Sequence, residues 1–180
     1  GMIFGVLVVK LGLPLILAIP LTMAFAAATG AVNGAIVLRT GLPSFIVTLA
    51  FLFILRGASL VGLKLFTNGS TQLRGVRETV AGDWLTPIFS GDAFPGLFRW
   101  LGDRGIIATL NNGAPSVPGI PVEILWFLGV AGLATFVLLR TAAGNWIFAT
   151  GGDKTAASNS GVPVRRVKIT LFILTALAAT

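Results

Sequence analysis

No cysteine and no histidine occurs among the 180 residues. Their absence removes disulfides, thiolate nucleophiles, imidazole acid–base catalysis and nearly every zinc site. Acidic residues are scarce as well, six Asp and Glu against thirteen Lys and Arg. None of the six pairs with another at helical spacing inside an apolar run. No catalytic residue, no metal-binding set and no cofactor is therefore expected. Charge of either sign is thin, at 11% of residues, where an ordinary soluble domain carries about 25%.

What fills the space is apolar. Hydrophobic residues make up 55% of the chain and the mean hydropathy is +0.94. Separate apolar stretches with few internal charges predict a polytopic membrane protein. The net charge of +7 suggests nucleic acid at first sight. Its distribution argues against that, because the bases flank apolar runs and form no basic or aromatic face. Residues 1–9 have no basic leader and no cleavage pattern, so they are not a signal peptide. They read as the tail of a membrane helix, and 169–180 is shorter than the ~20 residues a crossing needs. The chain is expected to be a fragment of a longer protein.

In order, a span is predicted over 13–38, with Pro14 and Pro20 near its start; at ~1.5 Å per residue it would measure about 39 Å. Its second half is paved with Ala24, Ala27, Ala28, Ala31 and Ala35, and Gly30 and Gly34 form a GxxxG. Small side chains serve helix–helix contact in lipid, within one subunit or between two. Asn33 lies among them, and its amide must either bond across to a neighbouring helix or line a wet path. A tight connection at Arg39, Thr40 and Gly41 leads to a second span, 44–63. There Ser44 and Thr48 are placed to bond backbone carbonyls. Arg56 is a charge deep in an apolar run, which marks a passage or a pinned helix pair unless it snorkels to a surface.

Region 64–120 crosses nothing. Asn68-Gly69 and Asn111-Asn112-Gly113 mark turns, and Pro115, Pro118 and Pro121 stiffen the approach to the next span. Trp84, Phe89, Phe94, Phe98 and Trp100 recur in pieces such as 94–101 that suit the membrane interface. The third span, 122–139, carries Glu123 and Trp126 as interfacial anchors. Arg140 ends it.

The polar passage 144–168 is the most informative stretch. An aromatic-apolar hexad, 145–150, is expected to turn at Gly151-Gly152, with Asp153 as N-cap of a short helix. Lys154 to Ser160 would make about two turns, with Gly161 as left-handed exit and Pro163 forbidding continuation. Its side chains are small (Thr155, Ala156, Ala157, Ser158), so another protein's backbone can come close. The alternative is a solvated connecting loop. GGDKT at 151–155 is not a phosphate loop, since Asp153 precedes the lysine and Phe148 stands where a further glycine is required. A fourth, incomplete span begins near 168. With three crossings, the Arg39 turn and the passage share one side. The density of Arg140, Lys154, Arg165, Arg166 and Lys168 makes that side cytoplasmic. Opposite lie Lys64, Arg74, Arg77, Arg99 and Arg104, balanced by Glu78, Asp83, Asp92 and Asp103.

GLPSFIVTLAFLFILRG (41–57) with GAVNGAIVLR (30–39), and GNWIFATGGDKTAASNSGVPVRRVKI (144–169), resemble the inner-membrane permease of bacterial sugar ABC importers of the ribose/xylose/galactose type. The second stretch is the more specific, combining the Gly-Gly pair, Ala-Ala, Ser-Gly and the basic exit in order. In that family Asn is expected where Asp153 stands, and the outer region is shorter in ribose-type members. The resemblance implies a multi-pass subunit of the bacterial inner membrane that pairs with a second permease, as a homodimer. It would receive a monosaccharide from a periplasmic binding protein. A cytoplasmic ATP-binding subunit would drive it through the helix matching 153–160. ATP hydrolysis would belong to that partner, so the chain itself is not an enzyme.

The expected fold is thus all-α, a partial polytopic transmembrane bundle with a long extracytoplasmic region and a cytoplasmic coupling helix. Coupling is assigned to Gly151, Gly152, Asp153, Ala156, Ala157, Ser160 and Gly161, with Ala157 the point where added bulk should uncouple ATP hydrolysis from uptake. Asn33, Thr48 and Arg56 are the candidates for the passage. Two alternatives are a membrane-embedded enzyme using Asp83 or Asp92 on a lipid-linked substrate, and a scaffold subunit without solute dependence.

Overall fold

A computed structural model describes residues 1–67, 75–89, 91–106, 108 and 119–180. In chain order the elements are α1 (Met2–Val9), α2 (Leu15–Thr40), α3 (Ser44–Phe66), α4 (Val76–Val80), α5 (Thr86–Phe89), β1 (Asp92–Ala93), α6 (Pro95–Asp103), β2 (Ile120–Pro121), α7 (Val122–Arg140), α8 (Ala142–Gly152), α9 (Lys154–Asn159) and α10 (Val164–Ala178). Among the described residues the protein is all-α apart from the two-residue strands. Among the described residues three helices, α2, α3 and α7, are long and apolar enough to cross a membrane. The expected turns at Asn68-Gly69 and Asn111-Asn112-Gly113, with Pro115 and Pro118, lie outside the described residues.

The chain forms two compact units, Gly1–Ala81 with Leu138–Thr180, and Gly82–Val137. In the first, Pro14 holds an extended backbone (φ −62°, ψ 151°) at the start of α2. A proline supplies no N–H, which costs nothing where the helix has none to use. Gly41 ends α2 at φ +68°, its N–H reaching the Val37 carbonyl at 3.1 Å. Pro43 then launches α3, so a three-residue connection, 41–43, joins α2 to α3.

The buried residues of α2 are Leu15, Ala18, Thr22, Ala26, Gly30, Gly34 and Val37. Their spacing of three and four draws one ridge along the helix, and α10 packs against it. A Cβ at Gly30 would lie 2.5 Å from the Phe172 carbonyl oxygen and 2.8 Å from Ile173 Cα, and one at Gly34 3.3 Å from Ile169 Cα. The GxxxG therefore serves a contact within this chain. The buried Thr22 hydroxyl is satisfied inside its own helix, donating to the Ala18 carbonyl at 2.7 Å.

Elsewhere apolar side chains point outward. Only Val47 is buried on α3 and no residue on α7; Phe45 and Phe127 are each 71% exposed. In water such surfaces would be untenable. In lipid they cost nothing, and they leave free faces for neighbouring helices.

In the second unit, Phe94 at the N-cap of α6 and Leu97 and Trp100 within it are exposed. The Arg104 guanidinium lies 4.3 Å from the Trp100 ring centre, a cation–π placement. Trp126 donates its indole N–H to the Ile88 carbonyl at 2.8 Å and stacks on Phe89 at 5.7 Å. Its polar edge is thereby occupied inside the chain. β1 pairs antiparallel with β2, Asp92 opposite Pro121 and Ala93 opposite Ile120.

Candidate functional site

The polar passage folds as two short helices between α7 and α10. Thr141 caps α8, its hydroxyl accepting from the Gly144 N–H at 3.4 Å. Gly144 is pressed onto the backbone of Leu138: a Cβ there would stand 2.7 Å from Leu138 Cα and closer still to its carbonyl. Only glycine lets the chain fold back so sharply after α7.

The expected turn at Gly151-Gly152 is not where the chain turns. Both glycines belong to the last turn of α8, and the break comes at Asp153, whose backbone is extended (φ −139°, ψ 112°). The physical reason is the cap itself. An N-cap residue must leave helical geometry so that its side chain can fold back over the next helix. Asp153 Oδ1 accepts from Thr155 N at 2.7 Å and Ala156 N at 3.1 Å, so the kink belongs to Asp153 and the glycines stay helical.

α9 ends in a Schellman arrangement. Gly161, at φ +82°, sends its N–H to the Ser158 carbonyl at 3.0 Å, and Val162 N–H reaches the Ala157 carbonyl at 3.0 Å. This satisfies carbonyls the short helix would otherwise leave open. Ser160 lies at the C-cap, its hydroxyl 3.0 Å from the Ala156 carbonyl. Pro163 precedes α10, which begins at Val164, earlier than the expected start near 168. Its first turns carry Arg165, Arg166 and Lys168 with no acid, against the preference of a helix N-terminus for negative charge.

The seven coupling candidates divide by exposure. Gly151, Gly152, Asp153, Ala156, Ser160 and Gly161 are exposed. Ala157 is 4% exposed, so it seats α9 on its own chain. Bulk at Ala157 would strike the rest of this chain first, and the exposed Ala156 is the cleaner probe. Gly151 and Gly152 have nothing within 4 Å of a built Cβ. Their own chain does not need their smallness, although each costs about 1 kcal/mol relative to Ala inside a helix.

If Asp153 holds α9 through its cap, Asp153→Ala should cost about 1 kcal/mol and speed amide exchange over 154–160, while Asp153→Asn should restore protection. Equal exchange in wild type and the Ala variant would show that the cap is idle.

The passage candidates are not brought together. Asn33 is half-buried on α2, and its Oδ1 is buried without a hydrogen-bond partner. Thr48 is exposed, its hydroxyl donating to the Ser44 and Phe45 carbonyls at 3.0 and 3.1 Å. Arg56 is exposed near the middle of α3. None of the three lines either of two open grooves of the first unit. One groove, of about 420 Å³, is walled by α1, α2, α3 and α10, with Thr22, Thr29 and Ser59 among its lining. The other, of about 690 Å³, runs between the 41–44 connection, Lys154 and α10 from Val164 to Thr175. Its two lysines are fourteen positions apart, and no periodicity in the sequence pairs them. Thr150 is likewise buried with its hydroxyl unpartnered, and the sequence carries no signal for it.

The model for the branched-chain amino acid transport system permease component matches residues 1–180, the whole chain. The chain belongs to this permease family. Among its relatives, the ribose import permease protein of Escherichia coli is 31% identical over 92% of this chain and 42% of its own length. The xylose/arabinose import permease protein of Sulfolobus acidocaldarius is 30% identical over 90% of this chain and 35% of its own. The autoinducer 2 import system permease protein of Yersinia pseudotuberculosis is 25% identical over 98% and 45%. The permease sequence thus spans between about a third and a half of the length of these relatives. No solved structure matches it.

Proposed function

We propose that the chain is part of the membrane-spanning permease subunit of an ATP-driven importer in the bacterial inner membrane. It would pass a monosaccharide delivered by a periplasmic binding protein, alongside a second permease copy. The observation that carries this reading is α9, a helix capped at both ends whose Thr155, Ala156 and Ser158 side chains face outward, next to two helical glycines with free space over them. A short, rigid knob that permits close backbone approach is what a soluble ATP-binding subunit needs in order to push on membrane helices. The names of the relatives point to sugars and to autoinducer 2 as cargo of those proteins.

Alternating access follows from where α9 is fastened. It leads into α10 through Val162 and Pro163, and α10 packs along α2. A pull on α9 would therefore tilt α10 and α2 together. Arg56 lies about 18 Å of helix rise from the start of α3 and about 15 Å from its end, well inside the apolar run. This favours a partner group or a wet passage, with Asn33 Oδ1 a buried, unspent acceptor on α2. Thr48 spends its hydroxyl on its own helix and contributes only its position.

The full-length protein, reconstituted with its ATP-binding and sugar-binding partners, should take up sugar only when ATP is hydrolysed. Uptake without the ATP-binding subunit would reject the reading. Orientation has its own test, because the chain has no cysteine. Lys154→Cys should react with a membrane-impermeant maleimide in inside-out vesicles and stay unlabelled in intact cells. Labelling from outside would place α9 beyond the reach of any cytoplasmic motor.

A further inference from the structure

We propose that the groove between the 41–44 connection, α9 and α10 is a binding site for an anionic phospholipid, whose phosphate sits between Lys154 and Lys168. The proposal shares the membrane orientation argued above and does not depend on what is transported. Both lysines line this groove and no carboxylate does. The nearest acid in sequence, Asp153, spends an oxygen on the Thr155 and Ala156 N–H groups. Neither lysine has a carboxylate partner among the described residues. Two ammonium groups along one partly apolar groove repel each other, and an anion between them removes the repulsion and adds two charge-assisted hydrogen bonds.

The groove also tells a lipid from a free phosphate. Beyond the lysines its wall is made by Val37, Leu38, Leu171 and Phe172. From Lys168 to Thr175, α10 rises about 10 Å, from a cationic mouth into hydrocarbon-facing surface. A charged head at one end and acyl chains along the other match that gradient, whereas inorganic phosphate would leave the apolar wall uncovered. The location suits such a ligand, since basic clefts between helices on the cytoplasmic side recruit anionic headgroups, each Lys being worth about a fivefold gain. Because Lys154 begins α9, the lipid would tie the coupling helix to α10, and membrane composition would tune coupling.

The test uses the full-length permease with its ATP-binding subunit in nanodiscs of phosphatidylcholine, with and without phosphatidylglycerol. Native mass spectrometry should find phosphatidylglycerol retained by the wild type, and retention should fall at least tenfold in Lys154→Gln/Lys168→Gln. It should persist in Lys154→Arg/Lys168→Arg, which keeps the charge, and in Arg165→Gln/Arg166→Gln, whose bases lie outside the groove. ATP hydrolysis should rise with phosphatidylglycerol in the wild type and not in the Gln variant. Equal retention by the wild type and the Gln variant would overturn the proposal. So would displacement by glycerol phosphate alone, which would mark a headgroup-only site. A cross-link from Leu42→Cys to another segment of the permease or to the ATP-binding subunit would show that protein, not lipid, fills the groove. Lipid retention is read independently of uptake, so a failed importer assay leaves it standing and the reverse also holds.

Discussion

Ala156→Trp is expected to abolish ATP-driven uptake, by more than tenfold, while the permease still inserts and folds. Ala156 is exposed on α9. Its own backbone bonds, the N–H to Asp153 Oδ1 and the carbonyl accepting from Ser160, do not involve the side chain. An indole there meets open space in this chain and a wall only when a partner approaches. Basal ATP hydrolysis by the partner should continue, detached from sugar. Ala157→Leu should behave differently, because Ala157 is buried and overpacking costs about 1–3 kcal/mol. That variant should lose thermal stability in detergent as well as uptake. Full uptake in Ala156→Trp would remove α9 from the coupling surface, and equal melting of the two variants would contradict the inward placement of Ala157.

The second large effect concerns the α2–α10 seam. Gly30→Ala is expected to destabilise the full-length permease by about 2 kcal/mol, and Gly30→Leu to prevent accumulation of folded protein. The atoms a Cβ would meet are the Phe172 carbonyl oxygen and Ile173 Cα. Backbone cannot rotate aside as a side chain can, so the two helices must separate and the whole ridge from Leu15 to Val37 loosens. Gly34→Ala should be milder, since its nearest contacts are at 3.3 Å. Gly57→Ala, with nothing within 4 Å, should be neutral or slightly stabilising through helix propensity. Thermal unfolding of the purified protein orders the series, and an unchanged midpoint for Gly30→Ala would refute the close approach.

Much of the fold is legible residue by residue. The apolar runs of α2, α3 and α7 announce themselves because a crossing helix must be apolar over its whole length. Asp153 and Gly161 are readable because a cap and a left-handed exit are local, single-residue requirements. The kink at Asp153 was foreshadowed two residues too early, at Gly151-Gly152, because glycine disfavours a helix by only about 1 kcal/mol, whereas a capping Asp has to leave it. The orientation of Ala157 was not legible. A helix of six residues, whose side chains are small or polar all round, has no apolar stripe to say which side faces inward. Asn33, Thr48 and Arg56 stand out in the sequence as polar groups in lipid, yet nothing local says whether they converge.

Sequence by itself determined that this is a membrane protein, which segments are apolar enough to cross, where along the chain the bases gather and where the short helix starts and stops. Each of these is a property of one segment set against water or lipid. Only tertiary structure decided that Gly30 and Gly34 meet α10, that Ala157 is spent on its own chain and that Lys154 and Lys168 share a groove. Lipid is as apolar as the helices in it, so hydropathy cannot choose partners. Shape and the few polar groups choose them, and those choices appear only when distant segments are brought side by side.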